Sequence, residues 1–241
     1  VSSPAIGSLA ALSHEAMELG AAGVMVAPVT GLKTEETIIG YFAAVCAALG
    51  PEVPVVLQDF PLALGVHFSV STIERIAADH QQVVMLKHED WPGLAKLSRL
   101  RADEATKATR RLSILVGNGG LFLPQELHRG ADGAMTGYAY PEMLVAVCRL
   151  FDEGRSEEAE DLFDAHLPLI RHETQPGLGL AIRKEILCRR GAIASAHARA
   201  PAPKLDRIDQ AELTDLMRRL DKRLDALGYQ QALPARLQAI A

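Results

Sequence analysis

Two hydrophobic rhythms alternate along the first 150 residues or so of the chain. Short, almost wholly apolar runs occur at Gly23–Ala27, Val53–Leu57, Val83–Lys87, Leu112–Val116 and Gly133–Thr136. Runs of this length rich in β-branched residues predict strands. Between them, apolar residues recur at helical spacing over Ile6–Leu19, Thr34–Leu49, Ser71–Ala78, Gly93–Ala105, Leu121–His128 and Met143–Phe151. Thr34 and the Ser69/Ser71 pair offer N-cap oxygens, and Gly20, Gly50 and Gly130 stand where helices end. Alternating strands and helices predict crossover units and a parallel sheet. Apolar residues at nearly every strand position predict burial of both sheet faces.

After Phe151 the rhythm becomes helical throughout. Glu157–Ile170, Gly177–Arg190 and Ile208–Ala226 predict three successive helices, with a Pro/Ala-rich link over Ala198–Pro203. Residues 1–152 are therefore expected to form an α/β unit, and residues 153–241 a C-terminal helical extension. Five strands are visible, with Val1–Ser3 a candidate end of a sixth, whereas a (β/α) barrel needs eight. No Gly-x-Gly-x-x-Gly follows the first strand, which disfavours a dinucleotide-binding sheet.

Composition narrows the function classes. The chain has 241 residues, 49% hydrophobic and 23% charged, with a net charge of -5. That balance is globular and lacks the basic face of a nucleic-acid binder. No apolar run reaches the roughly 18 residues that span a membrane. Cys46, Cys148 and Cys188 show neither a disulfide nor a zinc spacing and suit free thiols in a reducing cytoplasm.

In parallel α/β folds the reactive groups gather at the carboxyl ends of the strands. Those ends bring Ala27-Pro28, Gln58-Asp59, Lys87-His88-Glu89, Gly117–Gly120 and Thr136–Tyr138 to one rim. Lys87 follows four apolar residues. Desolvation there favours a neutral amine, which can attack a carbonyl, although a strand-end lysine can also simply reach solvent. Asp59 and Glu89 are candidate acids or bases, or else caps and ion-pair partners. His88 neighbours Lys87 and is expected on the opposite face of the strand. The backbone N–H groups of Gly117, Asn118 and Gly119 could cradle an anion, or form a plain turn.

These rim segments resemble the dihydrodipicolinate synthase/N-acetylneuraminate lyase family. The matching stretches are "VMVAPV", "VPVVLQDFP", "VVMLKHE", "LSILVGNGG", "GADGAMTG" and "GLAIRKEIL", in family order. The resemblance implies a TIM (β/α)8 barrel with a C-terminal helical extension, lacking here its first two to three strands, and an N-terminally truncated sequence. It further implies a homo-oligomer with no cofactor or metal, and a lysine, matching Lys87, that forms a Schiff base with pyruvate or another 2-oxo acid. Met135 and Thr136 would help shape the pocket with Gly117, Asn118 and Gly119. Gln58 occupies the place of the family's relay tyrosine, and Leu62-Ala63-Leu64 lacks the arginine that grips a second carboxylate in the synthases. Two alternatives follow from the residues. "GNGG" with "GADGAMTG" also looks like the phosphate loops of an FMN-dependent barrel oxidoreductase, and the departures allow an inactive or binding-only fragment.

Overall fold

The structure, a computed structural model, describes residues 1–91, 93–106 and 109–229. By compactness the chain divides into two units, Val1–Gly117 with Gln125–Met135, and Asn118–Pro124 with Thr136–Ala241. The last twelve residues assigned to the helical extension lie outside the described residues.

Up to residue 135 the predicted alternation is realised as α1 (Ile6–Glu18), β1 (Val24–Val26), α2 (Glu35–Leu49), β2 (Val55–Asp59), α3 (Pro61–Leu64), α4 (Val70–Asp79), β3 (Val83–His88), α5 (Leu94–Thr106), β4 (Ser113–Val116), α6 (Leu123–His128) and β5 (Gly133–Ala134). Thr34 caps α2 in a capping box with Thr37, and Ser69 caps α4 through the Thr72 N–H. The short α3 has no apolar period to announce it. It begins on Pro61 and ends on left-handed Gly65, the chemistry that favours a single isolated turn.

All strand pairs are parallel, and the order in the sheet is β1-β2-β3-β4-β5. A doubly wound sheet would reverse its order at a switch point. Sequential neighbours without reversal are the order of a (β/α) barrel, here an open arc of five strands. The Val1 amine donates to the Met25 carbonyl at 2.8 Å, although residues 1–3 form no strand.

Burial along the strands alternates, contrary to the expectation that both faces would be fully buried. Val26, Val55, Leu57, Leu86 and Ile114 are 0–1% exposed and pack with Phe42, Ile73, Ile76 and Leu97 of the helices. The intervening Met25, Val56, Gln58, Met85, Lys87 and Leu115 are half-buried. The reason is layering: the unit's core joins one strand face to the helices, and period two then sends every other side chain away from it.

The second unit is helical, with α7 (Pro141–Asp152), α8 (Ser156–Glu173), α9 (Gly179–Arg189) and α10 (Arg207–Ala226). The central α8 packs against the other three helices, burying Leu162, Phe163, Leu169 and Ile170. Its two buried polar residues grip the segment before α7. His166 Nδ1 meets the Tyr138 hydroxyl at 2.9 Å, and Glu173 accepts the Ala139 N–H at 3.0 Å. Glu173 also pairs with Arg183, which donates to the Gly137 carbonyl. Arg190 stacks over the Tyr140 ring at 3.9 Å and bonds the Ala139 carbonyl. Among the described residues no helix is long and apolar enough to cross a membrane.

Burial, together with the positive Arg190, holds the His166 imidazole neutral, its pKa pushed down to about 3. The unfolded chain takes up a proton near pH 6.5 that the folded one refuses. Stability contributed by the neutral ring is therefore complete above pH 6.5 and lost as pH falls toward 3. The loss is expected to reach about 1 kcal/mol per pH unit at its steepest. In urea unfolding across that window, His166→Gln should flatten the slope.

Candidate active site

Strand β3 carries most of the candidate residues, and its register against β2 distributes them. Gln58 pairs with Lys87, and Asp59 with His88. Period two therefore puts Gln58 and Lys87 on the half-buried face, and Asp59 and His88 on the helix-facing side. Glu89 extends both ladders by one position. Its N–H donates to the Asp59 carbonyl at 2.8 Å, while the Gly117 N–H donates to the His88 carbonyl at 3.0 Å.

Two positions beyond Lys87, Glu89 returns to the same face. Its Oε2 lies 3.1 Å from Lys87 Nζ and accepts the Gln58 amide at 2.9 Å. The Lys87 and Glu89 side chains are 14% and 8% exposed. An ammonium–carboxylate contact in such shelter is screened much less than one in open water. Gly117 makes room for it, because a Cβ there would collide with Cγ and Oε1 of Glu89.

Behind the strand lies a second polar group. Asp59 is 1% exposed and receives Lys96 Nζ, from α5, at 2.9 Å. Lys96 also pairs with Asp90 Oδ2 at 2.7 Å. His88, also 1% exposed, bonds the Gly93 carbonyl through Nε2 at 3.0 Å. Its Nδ1 approaches Asp59 Oδ2 at 3.4 Å without forming a hydrogen bond. Glu126 of α6 is 7% exposed, and its Oε2 has no hydrogen-bond partner among the described residues. Burial pushes its carboxyl up to about 7, only partly offset by the positive potential of His88.

The sequence-predicted residues thus separate into groups. Lys87, Gln58 and Glu89 come together, whereas Asp59 sits on the other side of the sheet, paired with Lys96. Two of the N–H groups read as an anion cradle are engaged internally: Gly117 as above, and Gly119 with Thr136 Oγ1 at 2.8 Å inside the second unit. The Met135 N–H donates to the Val116 carbonyl, continuing the β4–β5 ladder. Asn118 adopts a left-handed φ of 51° and opens the 3₁₀ turn Asn118–Gly120. Lys96 and Glu126 were missed. The available signal was a charged residue on a helix face that otherwise packs inward. The cysteines lie on α2, α7 and α9. No cluster of metal-ligating side chains occurs among the described residues.

A model of the dihydrodipicolinate synthetase family matches residues 2–220. The chain is 35% identical over 220 residues to an L-2-keto-3-deoxyarabonate dehydratase from Azospirillum brasilense, covering 88% of this chain and 68% of that protein. It is 30% identical over 172 residues to a 4-hydroxy-tetrahydrodipicolinate synthase from Persephonella marina, covering 69% of this chain and 56% of that one. A crystal structure of a dihydrodipicolinate synthase from Rhodopseudomonas palustris superposes with a TM-score of 0.88 at 48% identity, covering 91% of this chain and 73% of that one. The chain thus spans between about half and three quarters of these three proteins.

Glu126 supplies a pH test of the buried cluster. Its folded pKa, about 7, exceeds the ordinary 4.5. The penalty for ionising it is absent at pH 4, grows as pH rises through that interval and is complete above pH 7. At pH 8 Glu126→Gln is expected to exceed the parent in stability by up to ~3 kcal/mol. The two chains should converge near pH 4 when unfolding is followed by chemical denaturation.

Proposed function

Given that the chain belongs to the dihydrodipicolinate synthetase family, whose relatives above include a dehydratase and synthases, we propose that its protein is a lyase working through a Schiff base on Lys87. The observation that carries this reading is the sheltered contact of Lys87 Nζ with Glu89 Oε2 at 3.1 Å, Gln58 fixing the same oxygen. Glu89 stands where it can take the proton an ammonium must lose before the amine attacks. The amine adds to the keto carbon of a 2-oxo acid, and Glu89 returns its proton to the carbinolamine hydroxyl, which leaves as water to give a cationic imine and a free carboxylate.

That imine withdraws electrons from the neighbouring carbon. Glu89 removes a proton from C3, and the C–H electrons pass into the imine to give an enamine. With a 2-keto-3-deoxy sugar acid, the C4–O bond then breaks. The enamine electrons expel the hydroxyl, which leaves as water carrying the proton held by Glu89. Hydrolysis of the conjugated imine frees the product and Lys87. One carboxylate serves both transfers, so the step needs no phenol where Gln58 stands. The dehydratase relative supports carbon–oxygen elimination. So does Leu62-Ala63-Leu64, which offers no arginine for the carboxylate of a condensing partner.

Asp59 belongs to this proposal as a support behind the strand. The substrate-binding assignment of Gly117, Asn118, Gly119, Met135 and Thr136 rests on the family resemblance. So does the homo-oligomer, whereas the cytoplasmic location rests on the spacing of the cysteines and the division into a barrel portion, 1–152, and an extension, 153–241, on the helical rhythm after Phe151.

The decisive experiment treats the natural full-length protein with pyruvate and borohydride and measures its intact mass. A reduced adduct mapping to Lys87 and absent from Lys87→Ala is expected, and a wild-type protein that never acquires it would sink the reading. Glu89→Gln should keep the adduct while turnover of a 2-keto-3-deoxy acid falls ~100-fold or more, the usual worth of a positioned acid–base group.

A further inference from the structure

Glu89 stands at the start of a turn whose anchors all lie behind the sheet. Immediately after it, Asp90 is tied to Lys96 Nζ at 2.7 Å, and the same nitrogen holds Asp59, the last residue of β2, at 2.9 Å. At the far end of the turn the Gly93 carbonyl is bonded by His88 at 3.0 Å, and a Cβ on Gly93 would collide with that imidazole. The Glu89 N–H is fixed on the Asp59 carbonyl. Lys96 is thus a staple between a rigid strand end and the residue next to the carboxylate. It does not itself face Lys87, since Asp59 and His88 occupy the side of the sheet opposite to Gln58 and Lys87.

Lys96 is 13% exposed, and its two partners give it no freedom to turn away. Releasing Asp90 from Lys96 would remove the ion pair that joins the residue after Glu89 to the end of β2, leaving the Glu89 N–H on the Asp59 carbonyl and the side-chain contacts with Lys87 and Gln58 to hold the carboxylate. Displacement of a reacting group by about 1 Å is enough to cost ~100-fold in rate. We propose that Lys96, acting through Asp59 and Asp90, is a positioning residue that keeps the Glu89 carboxylate on Lys87, with His88 securing the other end of the turn. The inference rests on the reading of Lys87 and Glu89 as nucleophile and acid–base group.

Its test separates carbon–nitrogen bond formation from proton transfer in the natural full-length protein. Borohydride trapping of pyruvate reports the first, and deuterium uptake into the pyruvate methyl group, followed by proton NMR, reports the second. In Lys96→Gln, trapping at saturating pyruvate should stay within about twofold of wild type while exchange falls ~10-fold or more. Lys96→Arg, which can still bridge two carboxylates, should recover most of the exchange. Asp90→Asn alters a partly exposed side chain and decides the matter if Lys96→Gln fails to fold; it should slow exchange several-fold with trapping unchanged. Unaltered exchange in folded Lys96→Gln or, failing that, in Asp90→Asn would overturn the inference, as would parallel loss of trapping and exchange. Absence of any wild-type adduct would overturn the lysine reading, and this inference with it.

Discussion

Everything at the strand ends follows from the register of β2 against β3. Pairing Gln58 with Lys87 and Asp59 with His88 commits adjacent residues to opposite environments, because a strand turns successive side chains to opposite faces. A slip of β3 by one residue would bury the lysine among the helices and lift His88 to the half-buried face. The bulge between Val55 and Val56, opposite the extra residue Val84, sets that register. Val84 is left 41% exposed, a small loss beside the gain of placing both pairs correctly.

The two faces use charge differently. On the Lys87 face an ion pair is sheltered but reachable, a state that tolerates proton exchange. On the helix face Asp59 is fully buried while Lys96, 13% exposed, is about as sheltered as Lys87, and the attraction of the pair must offset the cost of taking the carboxylate out of water. Such a pair contributes more to fixed geometry than to net stability, which is how a positioning element differs from a reacting one. Glu126, without a partner for one oxygen, retains its desolvation cost and titrates near neutrality as a result.

Much of this was legible in the chain. Among the described residues the apolar runs and helical spacings located every strand and all but one α-helix, with differences confined to the ends, because long periodic segments leave little choice. The short Pro61–Leu64 turn escaped because its signal is punctuation at Pro61 and Gly65 rather than periodicity. At the site, Lys87 and Glu89 stood out by type and place. Gln58 and Asp59 could be named but not assigned to faces without knowing where β2 ends. The glycines near residue 117 show the limit most clearly. Their sequence allows a donor cradle, yet a backbone donor is available only if no carbonyl claims it, and in the structure the His88 carbonyl does. Gly117 proves to matter for the side chain it lacks.

Sequential strand order has one more consequence. Because neighbours in the sheet are neighbours in the chain, Gln58, Lys87, Glu89 and the Lys96 staple all lie on one continuous stretch, from the end of β2 to the first turn of α5. A single crossover unit and the start of the next helix therefore carry the proposed nucleophile, its proton carrier and their mounting together. Recombination or duplication could move that block between barrels as one inheritance. Selection on substrate could then act on the remaining loops without disturbing the pair that meets it.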